Sequence, residues 1–166
     1  MRSRERDQLR SEFAAFYEDA YPRLVSQVRA IIGDPAAAPD AVQHAMTRAW
    51  IQWSRLRQLD DPSRWVRRVA LQNPRSWWRS RRRAEGPRLS EGELASMDPQ
   101  HLAVLSALLQ QPETERRSLV LRYMAGLSVS SIAEEEGVPM DTVLARIGRG
   151  GAALVELLAD EAEGDK

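Results

Sequence analysis

The sequence predicts an all-α fold: two small helical domains joined by a flexible linker, the second a helix-turn-helix domain. Three observations carry that prediction. Apolar residues recur at three- and four-residue steps, as in Phe13, Phe16, Tyr17, Ala20, Leu24, Val28 and Ile31, the spacing that lines one face of a helix. Between Ala84 and Pro99 large apolar residues thin out among Gly86, Pro87, Ser90, Gly92 and Ser96, the composition of a connector. From Ser128 to Val143 a serine, an apolar pair, a glycine and a second apolar run follow one another, the order of helix, tight turn and helix. The expected boundaries are 5–83 for the first domain, 84–99 for the linker and 100–160 for the second domain. With 166 residues to divide, each lobe is expected to have only a modest core.

The first helix is expected from about Arg4 to Ile32, with Pro22 kinking it or splitting it in two. Gly33, Asp34 and Pro35 end it. Pro39 and Asp40 open a second helix whose broad apolar face holds Val42, Ala45, Met46, Ala49, Trp50 and Trp53. Asp60, Asp61 and Pro62 mark a break, after which Pro62 or Ser63 starts a third helix through Trp65, Val66, Val69 and Ala70. Beyond the linker, helices are expected over 101–109, 114–124, 128–136 and from 139 to about 158, followed by an acidic tail.

In the last pair, Ser128 caps the first helix, Ile132 and Ala133 turn inward, and Gly137 supplies the positive φ of the turn. Val138 plugs the core, and Val143, Ile147 and Leu154 form the buried side of the following helix. Such a helix would lie in a DNA major groove and present Asp141, Thr142, Leu144, Ala145, Arg146 and Arg149. Gly148, Gly150 and Gly151 fall inside it. Each costs about 1 kcal/mol relative to alanine, so the expectation is a kinked or early-ending helix, or one made rigid only by a partner.

The net charge is zero, but it is unevenly spread. Arg64, Arg67, Arg68, Arg75, Arg79, Arg81, Arg82 and Arg83 fall in one stretch without an acid, whereas Glu134, Glu135, Glu136 and the residues after Glu156 weight the other end toward acid. A local basic surface binds phosphate even when the total cancels. Trp77 and Trp78 are adjacent in that tract and cannot share a face. One of them, flanked by arginines, suits stacking on an unpaired base; the plainer reading is a solvated helix end with a spare tryptophan. Trp50, Trp53 and Trp65 read as core.

There is no cysteine, and His44 and His101 are the only histidines, which excludes disulfides, thiol chemistry and the usual zinc clusters. No metal and no cofactor is expected. No run of about twenty apolar residues occurs and Met1 to Arg10 is charged, so the expectation is a cytoplasmic protein with no stable membrane insertion. Three plainer readings stand beside a DNA reader. One is a helical bundle that binds nothing, and another a helix-turn-helix serving protein contact alone. The third is a small enzyme pairing His44 with Asp40; no nucleophile elbow, metal cluster or phosphate loop accompanies that pair, and no enzymatic activity is expected.

Together these segments resemble the extracytoplasmic-function subfamily of bacterial RNA polymerase sigma factors, from about Phe13 to Leu158. The run from Pro39 to Trp50 is similar to the family's polymerase-binding helix: Asp40, Gln43, Arg48 and Trp50 agree with its pattern, while His44 and Met46 stand where an acid and a phenylalanine are usual. The stretch from Asp61 to Arg83 looks like the promoter-melting, minus-ten-reading segment, with Gln72 and Ser76 where asparagine and aspartate are common and Pro74 between them. The stretch from Pro112 to Tyr123, with Gly126, Leu127, Ser128 and the helix-turn-helix, is similar to the minus-thirty-five-binding domain. Leu144 there replaces a usually basic residue, and Gly148, Arg149, Gly150 and Gly151 replace a more basic, more helix-forming segment.

The resemblance implies polymerase contacts by Asp40, Gln43, His44 and Arg48. It implies minus-ten or phosphate contacts by Arg64, Arg67, Arg68, Gln72, Arg75, Ser76, Trp77, Trp78, Arg79, Arg81 and Arg82. Minus-thirty-five contacts would fall to Ser128, Asp141, Thr142, Leu144, Ala145, Arg146 and Arg149. The implied partners are core RNA polymerase, promoter DNA and an anti-sigma factor. The alternative is a sigma-like regulator or adaptor acting through protein contacts with weak DNA binding.

Overall fold

A computed structural model describes residues 3–72 and 91–164; the expected sites at Arg75, Ser76, Trp77, Trp78, Arg79, Arg81, Arg82 and Arg83, with Pro74, lie outside the described residues. The described residues form nine helices and no strand. In chain order these are α1 (Ser3–Ile32), α2 (Ala37–Ile51), α3 (Trp53–Leu56), α4 (Pro62–Gln72), α5 (Glu91–Ser96), α6 (Pro99–Leu109), α7 (Glu113–Tyr123), α8 (Val129–Glu136) and α9 (Met140–Gly164). None is long and apolar enough to cross a membrane.

Proline and aspartate set several helix starts. Asp34 accepts hydrogen bonds from the Ala36 and Ala37 amides, so α2 begins before Pro39, which the first turn tolerates because its missing donor has no intrahelical role there. Asp61 accepts from the Ser63 amide at the head of α4, and Asp98 caps α6 through the His101 amide. Pro22 does not split α1: the helix is continuous through it. Its ring lies on the exposed side, where the carbonyl deprived of its donor faces water rather than the core. Two short helices were not expected: α3, and α5 inside the segment read as linker.

Leu24, Val28 and Ile31 of α1 pack with Val42 and Met46 of α2, Leu56 of α3 and Val66 of α4. Leu105 and Leu109 of α6, Val120 and Leu121 of α7, Ile132 of α8 and Val143 of α9 belong to the same apolar cluster. The expected pair of separate cores is therefore one. The reason lies in α1, which packs on α2 and α4 with one side and on α6 and α7 with another.

Arg116 closes that junction. Its Nε donates to the Ile31 carbonyl at 2.8 Å, and its Nη1 to the carbonyls of Leu109 and Gln111 at 3.2 and 3.1 Å. The last carbonyls of a helix have no intrahelical donor and carry partial negative charge. One buried guanidinium thus terminates α1 and α6 together, which its planar fork of five donors permits.

The glycines of α9 do not interrupt it. A Cβ on Gly150 would stand 2.9 Å from Leu119 Cδ1 and 3.1 Å from Glu115 Cβ, so glycine here lets α9 cross α7 closely; Gly148 and Gly151 have nothing within 4 Å of such a Cβ. Packing on α6, α7 and α8 outweighs the intrinsic cost of three glycines, because tertiary burial dominates helix stability. Gly148→Ala is accordingly expected to stabilise the protein by about 0.5–1 kcal/mol. Gly150→Val should destabilise it by about 2–3 kcal/mol through overpacking. Urea midpoints of the two variants check the pair, and a gain for Gly150→Val would refute the close-crossing argument.

Candidate nucleic-acid interface

Ser128 caps α8, its hydroxyl accepting from the Ser131 amide at 3.1 Å. The helix ends at Gly137 in the left-handed conformation, φ 66°, a region that an L side chain occupies only with strain. Ile132, Ala133 and Val143 are buried and Val138 packs against them. The turn directs α9 across α8 and α7, leaving Asp141, Leu144, Ala145 and Arg149 exposed with Thr142 and Arg146 half-buried. The six side chains expected to face a groove therefore do lie on one continuous helix.

The two arginines among them already have partners. Arg146 Nη1 donates to Glu136 Oε2 at 3.2 Å. Arg149 donates through Nε and Nη2 to Glu115 Oε1 at 3.2 and 3.0 Å. A hydrogen bond from Thr114 and, opposing the effect of burial, those from Arg149 hold the Glu115 carboxyl below its usual pKa. Glu136 also lies 3.0 Å from Arg117 Nε, a charge contact without a hydrogen bond's direction. The outer surface here is partly apolar, with Tyr123, Met124, Met140 and Leu144 all exposed.

On the first lobe, Asp40, Gln43 and Arg48 are exposed on α2 and His44 is half-buried. Gln43 Oε1 accepts from the Tyr17 hydroxyl at 2.6 Å, and Tyr17 stacks on Tyr21 with ring centroids 4.9 Å apart. Burial, then Tyr17 and Asp40, hold the Tyr21 phenol above its usual pKa. Among the described residues no hydrogen bond or ion pair joins His44 to Asp40. Trp50, read as core, is instead 41% exposed and covers Phe13 at 5.2 Å, at the edge of a face whose buried members are Val42, Ala45, Met46 and Ala49. Trp53 is buried as expected. Trp65 is half-buried.

The arginines of α4 are divided. Arg68 and Gln72 are exposed. Arg64 and Arg67, expected on a free phosphate-binding surface, instead reach α8: Arg67 pairs with Glu135 at 3.1 Å, and Arg64 lies 3.6 Å from Glu135 and 3.7 Å from Glu134. The pairing has a simple cause, since α4 and α8 face each other across the lobe junction. A cleft of about 330 Å3 opens beside them, lined among others by Leu59, Asp61, Arg64, Trp65, Glu134 and Glu135. Sequence reading missed these acids as partners, although the opposite charge of the two segments was the available signal.

The described residues form two helical lobes, the second built around a complete helix-turn-helix, an architecture found in DNA-binding regulatory proteins. Residues 16–84 match the family model described as Sigma-70 region 2, and residues 101–154 match that of Sigma-70, region 4. The chain belongs to the sigma-70 family of RNA polymerase sigma factors, as a divergent member of the extracytoplasmic-function type. It is similar to the RNA polymerase sigma-E factor of Streptomyces coelicolor, 28% identical over 152 residues that cover 89% of this chain and 86% of the relative. The RNA polymerase sigma-E factor of Streptomyces avermitilis is likewise 28% identical, covering 89% and 85%. The fold is shared with the sigma factor RpoE in its complex with the anti-sigma factor NepR from Bartonella quintana: TM-score 0.70, 21% identity, 89% of this chain and 97% of that one. The chain is thus a transcription initiation factor that directs core RNA polymerase to promoters.

Proposed function

We propose that the three surfaces divide the work of initiation. The exposed face of α2, with Asp40, Gln43, His44 and Arg48, docks on the polymerase. Arg64, Arg67, Arg68 and Gln72, continued by Arg75, Ser76, Trp77, Trp78, Arg79, Arg81 and Arg82, hold and open minus-ten DNA. Ser128 and the outer side of α9, with Asp141, Thr142, Leu144, Ala145, Arg146 and Arg149, dock on minus-thirty-five duplex. The observation that carries this reading is the uninterrupted α9 behind a capped, glycine-terminated α8. Catalysis stays with the polymerase, so the protein itself is no enzyme and uses no cofactor. It works in the cytoplasm, where the polymerase is, and an anti-sigma factor is a suitable further partner for its two lobes.

A second reading is favoured by the engagement of Arg146 and Arg149 with Glu136 and Glu115. In it, the apolar surface around Leu144 grips a protein and the chain acts as an adaptor with weak DNA binding. Transcription by purified core polymerase on genomic fragments, with start sites mapped, separates the two. Protein-dependent starts that share upstream sequence support the initiation roles; polymerase binding without new starts supports the adaptor.

A further inference from the structure

Phe13, Tyr17 and Tyr21 recur at four-residue steps along α1 and form a ladder of half-buried rings, each of which meets α2. Phe13 lies 5.2 Å from Trp50, the Tyr17 hydroxyl reaches Gln43, and the Tyr21 phenol feels the charge of Asp40. Tyr17 is the middle rung. Its ring centroid is 4.9 Å from that of Tyr21, nearly parallel at 11°, and 6.3 Å from that of Phe13, tilted by 52°. A phenol held between two rings keeps little freedom beyond the rotation of its hydroxyl, since the side chain has only two χ angles. That hydroxyl donates to Gln43 Oε1 at 2.6 Å, across 26 residues of sequence. In the sequence Tyr17 is one member of an apolar stripe, and only this contact gives its hydroxyl a use.

We propose that Tyr17 is a positioning residue for polymerase docking: it holds the Gln43 amide with its nitrogen outward, toward a hydrogen-bond acceptor on the polymerase. This rests on the reading of the exposed α2 face as the polymerase surface. Gln43 is exposed, and a free glutamine samples many rotamers, a freedom that is lost on binding. Tyr17 removes part of that loss beforehand. It also decides which end of the amide is offered. With Oε1 turned to the phenol, the two Nε2 protons are left for a partner. Asp40 stands three residues earlier on the same exposed face, and its ionised carboxylate can only accept. The face thus presents an acceptor and a donor side by side, and a residue of α1 sets the donor's direction. Tyr17 acts through Gln43 and makes no polymerase contact of its own in this arrangement.

The test titrates the fluorescently labelled full chain with purified core RNA polymerase, and follows thermal unfolding of each variant at 222 nm. Tyr17→Phe keeps the ladder of rings and removes only the hydroxyl. It is expected to weaken docking about fivefold while its unfolding midpoint stays within about 4 °C of the parent's. Gln43→Ala should weaken docking about tenfold, and Tyr17→Phe added to it should cost nothing more, because the two act as one unit. Gln43→Glu keeps an acceptor for the phenol but loses the outward donor, and should dock as poorly as Gln43→Ala. If Gln43→Ala docks as the parent does, the reading of α2 falls and the role of Tyr17 with it. If Gln43→Ala weakens docking and Tyr17→Phe does not, or if the two losses add in full, the role of Tyr17 alone falls. Should Tyr17→Phe fail to fold, Gln43→Glu decides, since parental docking there overturns the outward donor.

Discussion

Trp53→Ala is expected to destabilise the protein by about 3–5 kcal/mol, the loss typical of a large aromatic removed from a core. Trp53 is 5% exposed and stacks on Phe16 at 4.9 Å while meeting Phe13 edge-on at 5.2 Å. The ring thus ties α1 to the short α3. Its Nε1 has no hydrogen-bond partner, so Trp53→Phe, which keeps an aromatic ring and removes no hydrogen bond, should cost about 1 kcal/mol or less. Thermal unfolding followed at 222 nm checks both. For a chain of this size, Trp53→Ala should lower the midpoint by roughly 10 °C. Equal losses for alanine and phenylalanine would show that the indole, not aromatic packing, holds the site. The exposed face of α2 proposed to dock on the polymerase depends on this packing, and its loss should follow the unfolding rather than precede it.

Arg116→Met is the second large effect, expected to cost about 3–5 kcal/mol. The side chain is 4% exposed and leaves behind three carbonyls to which it donates, those of Ile31, Leu109 and Gln111. A buried acceptor deprived of its donor costs about 1–3 kcal/mol, more when the donor was charged. Methionine fills much of the volume, so the loss isolates the hydrogen bonds from the packing. Urea denaturation should show a lower midpoint. Because Arg116 joins α1 to the second lobe, hydrogen exchange should rise first at the ends of α1 and α6. A loss below about 1 kcal/mol would mean that water replaces the guanidinium and that the lobes do not depend on it.

Local order was legible wherever a signal was short-range. Ser128, Gly137 and the apolar spacing of Ile132, Ala133 and Val143 define the helix-turn-helix, and each does in the fold what its chemistry implies. The faces of α2 and α9 followed in part from periodicity, since a helix repeats every 3.6 residues: Val42, Ala45, Met46, Ala49 and Val143 are buried as expected, whereas Ile147 and Leu154 are only half-buried. The early end expected at the glycines of α9 does not occur, for a physical reason. Their penalties are intrinsic to an isolated helix, and neighbouring elements decide whether they are felt. At Gly150 the neighbour is Leu119, and the missing side chain is what allows the approach. Trp50 was misjudged because periodicity gives a face, not how far the face is covered.

The sequence by itself determined the longer helices, the Ser128 cap, the order of the lobes and the family that this order defines. All of these rest on interactions within a few residues, or on motif spacing along the chain. The tertiary structure alone decided that the lobes share one apolar cluster, that Arg116 ends two helices at once, and that Glu135 meets Arg67 from 68 residues away. Such partnerships join positions far apart in the chain. No propensity or period encodes which buried charge will face which, and only the packing of α1 against both lobes brings them together.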